Sequence, residues 1–178
     1  MFSLQIKYLS FFFGLISVLS FFNIIYSYYL NLYLNLDTYY LSLIISFIIS
    51  VLFYKIKTSE KKSSIFEKIL TVFFGYLLIP LVLSVPFYFS IYNLTFLDSY
   101  FEAISGFTST GFTIFDNIKQ LDESLILWRS TSQWIGGIYF LFSILLLIDI
   151  FDKNLKQSFT EYLSFNNNEI IKQSLKIV

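Results

Sequence analysis

Cysteine and histidine are both absent from this sequence. Their absence removes disulfides, thiolate metal sites, Cys and His nucleophile systems and the commonest general base. Charge is scarce as well: Asp, Glu, Lys and Arg make up 13% of the 178 residues, twelve basic against twelve acidic. A chain with no global basic field is not built to bind nucleic acid. What remains is apolar. Hydrophobic residues account for 56% and aromatic ones for 22%, a balance that suits a lipid-exposed protein in which Phe and Tyr fill helix faces and interfacial belts.

A hydrocarbon core about 30 Å thick takes roughly 20 helical residues to cross. Four segments approach that length: 8–30, 39–54, 69–92 and 125–148. The second is short and is expected to extend into its flanks or to sit in a locally thinned bilayer. Pro80 and Pro86 each remove a helical hydrogen bond from the third, which predicts a bend or a loosened turn there. Lys55, Lys57, Lys61, Lys62 and Lys68 crowd the connection after the second span, whereas the 31–38 turn has no basic residue and 93–124 has only Lys119. Short cytoplasmic loops carry the excess of Lys and Arg, so the 57–68 connection and both termini are expected inside, and the other two connections outside.

Residues 95–115 are too apolar for a solvated loop and too short to cross and return as helices. They fit a re-entrant hairpin. Its first half, 97–107, lacks proline, with Thr95 as a plausible N-cap and Asp98 suited to the positive end of the helix dipole. The helix is expected to stop near Gly106 with its negative end at the membrane midplane, where a cation is favoured. The residues that follow are Thr108, Ser109, Thr110, Gly111, Phe112 and Thr113. Backbone of this kind, with Gly111 supplying a left-handed torsion, can turn carbonyl oxygens toward a desolvated cation. Composition alone equally fits an outer loop dipping into the headgroups, with Ser, Thr and Gly as turn formers.

The stretch from Tyr100 through Glu102, Gly106, Thr108 and Gly111 to Phe112, followed by Trp128-Arg129-Ser130-Thr131-Ser132-Gln133-Trp134-Ile135-Gly136-Gly137, resembles the Trk/Ktr/HKT superfamily of cation transporters. Two motifs in the right order are far more specific than either alone, and two helices ahead of the repeat look like the bacterial Trk form. The resemblance implies an all-α integral membrane fold, with four transmembrane helices and one re-entrant pore helix and filter loop between the third and fourth. It implies two leading helices over 1–56, a cytoplasmic loop at 57–68, a first helix–pore–helix repeat at 69–150 and a connector at 151–178. The implied function is potassium transport, without enzymatic chemistry, through a pore lined by four such repeats. Thr108, Ser109, Thr110, Gly111 and Phe112 would bind the ion, supported by Thr113, Glu102 and Arg129. Glycine at the filter position favours potassium, since some sodium-selective relatives carry serine there.

The same resemblance implies a multi-pass protein of the inner (plasma) membrane. Its partners would be membrane lipid, the remaining repeats, a second copy in a homodimer when full length, and a cytoplasmic nucleotide-binding regulatory subunit. The chain departs from the family in stopping after one repeat, which suggests a fragment, and in carrying Tyr139 where a glycine is usual. Two other readings stand beside this one: a complete small potassium-channel subunit acting as a tetramer, and a non-conducting membrane scaffold.

Glu102 and Arg129 are ionisable groups at membrane depth, where a lone charge costs at least ~2.5 kcal/mol at the bilayer centre. Pairing behind the filter is one expectation; Arg129 snorkelling outward, with Glu102 on hydroxyls or backbone, is the other. Gly136 and Gly137 permit close helix approach. Trp128 and Trp134 are expected at the membrane interface. Residues 155–163 form a weakly amphipathic pattern fit for the inner surface.

Overall fold

The computed structural model describes residues 6–56 and 65–151. The amphipathic 155–163 pattern, the connector from 152 onward, and Lys57, Lys61 and Lys62 therefore lie outside the described residues. All regular structure within them is helical: α1 (Ile6–Tyr29), α2 (Leu36–Lys55), α3 (Ile65–Leu83), α4 (Val85–Tyr88), α5 (Phe96–Phe107), a 3-10 turn (Ile118–Gln120) and α6 (Glu123–Phe151). Contacts divide the chain into two units, Met1–Leu141 and Phe142–Val178. The first holds α1 to α5 and the beginning of α6; of the second, only the end of α6 is described.

Among the described residues four helices are long and apolar enough to cross a membrane: Lys7–Tyr29, Leu36–Lys55, Ile65–Tyr88 and Glu123–Leu147. The protein is thus a multi-pass membrane protein. Span boundaries shift where backbone chemistry overrides hydropathy. α2 gains Leu36, Asp37 and Thr38 at its start, which restores a full crossing length of 20 residues. The third span begins at Ile65 rather than at residue 69, because Glu67 and Lys68 are good helix formers at a helix start.

Lipid is as apolar as leucine, so helices in a bilayer gain little by hiding leucine and associate through small residues and interhelical hydrogen bonds. α1 and α2 follow this logic. Their buried faces carry Ser10, Ser17, Ser20 and Ser27 opposite Ser42 and Ser46, while Phe11, Phe21, Phe22, Ile44, Phe47 and Ile48 face outward. The Ser10 hydroxyl donates to the Ser50 carbonyl at 2.8 Å and Ser50 returns the bond to the Ser10 carbonyl at 2.9 Å. Higher up the seam Ser20 Oγ donates to Ser42 Oγ at 3.3 Å.

The proline-bearing span is broken, as its two prolines predict. α3 ends at Leu83 and α4 restarts after Ser84, with Pro86 in the first turn of α4, where its missing N–H costs nothing. The break leaves the Leu83 carbonyl available, and the Trp128 indole donates to it at 3.0 Å. Trp128 is fully buried, so it serves the core instead of the interface expected for it; Trp134 is exposed. The indole N–H needed a partner, and the proline break supplied one.

A second polar cluster joins the leading helices to the start of α6. Asn35 donates to the Asp122 carboxylate at 3.1 Å and accepts from the Ile91 amide at 3.1 Å. Ser124 Oγ donates to the same Asp122 oxygen, Tyr39 and Ser124 share a hydroxyl bond at 2.8 Å, and Asn23 Nδ2 donates to the Ser124 carbonyl at 3.2 Å.

Candidate functional site

α5 is a 12-residue amphipathic helix, about 18 Å long. It starts as its sequence predicts. Thr95 is extended, its hydroxyl accepts from the Asp98 amide at 3.2 Å, and Asp98 sits in the first turn. Ser99, Glu102, Ala103, Ser105, Gly106 and Phe107 are buried, while Phe96, Leu97 and Phe101 are exposed. Tyr100 ties the helix to α3 by donating to the Leu77 carbonyl at 3.2 Å.

The helix ends at Phe107, one residue past the expected Gly106. The Thr110 amide reaches back to the Ser105 carbonyl at 3.0 Å and the Ser109 amide to the Gly106 carbonyl at 2.9 Å. This is a Schellman closure, with Ser109 at φ +54° in the left-handed position where glycine is usual. Gly111 takes φ +83°, the left-handed torsion expected of it. The chain therefore turns twice within three residues. No sequence signal marked Ser109 for this role, since serine is not a left-handed residue by preference.

Beyond the closure, Thr108, Ser109, Thr110, Gly111 and Phe112 are exposed. The carbonyls of Thr108, Ser109, Thr110 and Gly111 accept no hydrogen bond among the described residues. The Phe112 carbonyl differs. It accepts from Ser105 Oγ at 2.6 Å and from Arg129 Nη2 at 3.3 Å, so both of its lone pairs are engaged inside the protein. The Thr108 hydroxyl donates to the Ile104 carbonyl at 2.8 Å and lies 2.6 Å from that of Thr110.

Glu102 and Arg129 meet. Arg129 Nε stands 3.0 Å from Glu102 Oε1, with the carboxylate fully buried and the guanidinium nearly so. The Nε–H is poorly aligned, which makes this contact an ion pair more than a hydrogen bond. The same carboxylate accepts from Thr113 Oγ1 at 3.0 Å and from the Ile114 amide at 3.1 Å, and Thr113 Oγ1 accepts from the Phe115 amide at 3.1 Å. The two charges thus hold 112–115 from behind. Arg129 does not snorkel outward.

α6 supports the end of α5 from below. A Cβ at Gly136 would overlap the Phe107 carbonyl, whereas one at Gly137 would meet nothing within 4 Å. Only Gly136 is needed for the close approach. Tyr139 lies one turn away and donates to the Thr71 and Val72 carbonyls, each at 3.1 Å. Its hydroxyl fills the notch left by Gly75, where a Cβ would collide with it. Phe12, Tyr76 and Phe107 surround its ring at centroid distances of 4.8, 5.1 and 5.5 Å. A cavity of about 420 Å³ opens beneath the 108–109 backbone, lined by Tyr76, Phe107, Thr108, Ser109, Gly136, Gly137 and Phe140. Gly136 makes the close helix approach expected of it, while Ser105 and Gly75 shape this region without having been marked for it by any pattern beyond small size.

The profile of the family described as TrkH, cation transport protein, matches residues 42–170. An uncharacterised cation transporter of Methanocaldococcus jannaschii is 28% identical over 127 residues, 70% of this chain and 27% of that protein. The Trk system potassium uptake protein TrkI of Halomonas elongata is 42% identical over 60 residues, covering 34% of this chain and 11% of its own length. TrkG of Escherichia coli is 44% identical over 46 residues, covering 26% and 10%. The chain accordingly spans about a quarter or less of the curated relatives it matches. No solved structure matches it significantly. With the family profile covering most of the residues, the chain belongs to the TrkH family of cation transport proteins, which are transporters and not enzymes.

Proposed function

We propose that this chain contributes one of four selectivity-filter repeats to a Trk-type potassium uptake system. One observation carries the reading: four successive carbonyls, from Thr108 to Gly111, accept no hydrogen bond from the described residues and stand on exposed backbone at the negative end of α5. A helix C-terminus bears roughly half a negative charge, and unpaired carbonyls are what a dehydrating cation requires. Non-helical backbone within a bilayer is tolerated where it lines an aqueous path. On this reading α5 is a re-entrant pore helix, and the 420 Å³ cavity beneath Thr108 and Ser109 continues the path inward. Phe112 takes a different part from its neighbours, because its carbonyl is already engaged. It anchors the filter together with Thr113, Glu102 and Arg129.

The domain plan follows: leading helices over 1–56, a cytoplasmic connection at 57–68, the repeat at 69–150 and a connector at 151–178. A 127-residue match covering 27% of the M. jannaschii transporter suits about one repeat in four. Lysine distribution argues for both termini on the cytoplasmic side of the inner membrane. The other repeats, a second copy of the full-length protein and a cytoplasmic nucleotide-binding regulatory subunit are the proposed partners, and K+ is the cargo. The test is Gly111→Ser in the intact protein, followed by paired potassium and sodium uptake. A Cβ at Gly111 meets nothing within 4 Å, so the strain is confined to the torsion, about 1–2 kcal/mol, and the variant should fold. Potassium preference over sodium should fall. Unchanged preference would overturn the filter assignment.

A further inference from the structure

A second groove among the described residues lies along the α1–α2 seam and shares no lining residue with the 108–113 segment. It encloses about 790 Å³, within the range of ligand-sized sites. Lys7, Gly14, Val18 and Phe21 of α1 line it together with Ser50 and Tyr54 of α2. The reciprocal Ser10 and Ser50 bonds fix the register that brings Lys7 level with Tyr54.

Two measures identify the occupant. Lys7 and Phe21 are 14 positions apart on one helix, about 21 Å, and half of a 40–45 Å bilayer with its headgroups is about 20–22 Å. The groove is one leaflet deep. Lys7, at the start of α1, is the one charged residue of the lining, Tyr54 lines the same groove, and the rest is apolar apart from Ser10, Ser17 and Ser50. Basic pockets between membrane helices at that depth suit anionic headgroups. A protein partner would need polar complements along the length, and besides Lys7 and Tyr54 the groove offers only Ser10, Ser17 and Ser50.

We propose that the α1–α2 groove is a binding site for one anionic phospholipid of the leaflet on the Lys7 side, its phosphate held by Lys7 and one acyl chain laid over Gly14 toward Phe21. The family profile starts at residue 42, so α1 and two thirds of the residues lining the groove lie outside it, and the proposal does not depend on the transport reading.

The experiment uses the intact protein purified in mild detergent, examined by native mass spectrometry for retained lipid and then delipidated. Thermal unfolding is followed with added phosphatidylglycerol or, separately, phosphatidylcholine of the same chains. Phosphatidylglycerol should be retained at one per chain and should raise the melting temperature where phosphatidylcholine does not. Lys7→Glu should abolish that selective shift and Lys7→Arg should keep it. Val18→Trp, at a half-exposed position lining the groove, should expel the retained lipid while leaving the helix content unchanged. Equal shifts with both lipids, or an undiminished phosphatidylglycerol shift in Lys7→Glu, would overturn the proposal. Disulfide cross-linking of two copies through Val18→Cys would do so too, by giving the groove to a second copy.

Discussion

Replacing Arg129 by Gln should cost far more than loss of a surface ion pair, and the reason lies in what Glu102 is left holding. The Glu102 carboxylate is fully buried and stands 3.0 Å from the guanidinium. Removing one partner of a buried pair strands the other charge, at about 3–5 kcal/mol. Loss of the Arg129 bond to the Phe112 carbonyl adds about 1 kcal/mol. Glu102→Gln is the mirror case: the amide can still accept from Thr113 or Ile114, but Arg129 is then uncompensated. The double variant Glu102→Gln/Arg129→Gln carries no stranded charge and should cost less than the sum of the singles by roughly 1–3 kcal/mol. Reversible unfolding in mixed micelles, run as a double-mutant cycle, measures all three. Single losses below about 1 kcal/mol that simply add, as for solvent-exposed pairs, would refute the claim that this pair organises 112–115.

Three further outcomes follow from the geometry. Gly136→Ala should destabilise by about 1–3 kcal/mol because the new methyl meets the Phe107 carbonyl, while Gly137→Ala should be tolerated; paired melting curves distinguish them. Ser109→Gly should stabilise the protein by about 1 kcal/mol, since the left-handed φ of +54° costs serine about 1–2 kcal/mol and glycine's greater chain entropy gives part of that back; a lowered melting temperature would count against the Schellman closure. Gly75→Ala should be damaging in the presence of Tyr139 and much milder with Tyr139→Ala, which removes the hydroxyl and the ring carbons that the methyl would strike; equal damage in both backgrounds would contradict the notch.

The helices were legible because hydrocarbon solvent imposes a requirement on every spanning residue, and sequence length and apolarity report it directly. The start of α5 was legible because Thr95 and Asp98 act locally. So was the torsion at Gly111, which only the absence of a Cβ makes cheap. The engagement of the Phe112 carbonyl was not, because Ser105 and Arg129 reach it from 7 and 17 positions away. Tyr139 looked like a departure from a small-residue pattern; in space the missing volume has moved across to Gly75, on α3. Trp128 reads as an interfacial residue until the broken helix offers it the Leu83 carbonyl. The serines of α1 and α2 were the least legible of all. Hydroxyls scattered along an apolar run carry no sign of which face they will occupy until the neighbouring helix is known.

The polar cluster around Ser124 has a consequence for how the protein is made. The serine pairs of α1 and α2 can close as soon as those two helices have left the ribosome. Asn23 must wait, since its acceptor at Ser124 is 101 positions downstream. At translation rates of about 5–20 residues per second, that delay is roughly 5–20 s. During that interval a carboxamide destined for a dry interior sits in newly inserted α1 without its Ser124 acceptor. Arrival of Asp122 and Ser124 then acts as a latch, closed late in biogenesis, that commits the first hairpin to its place against the rest of the molecule.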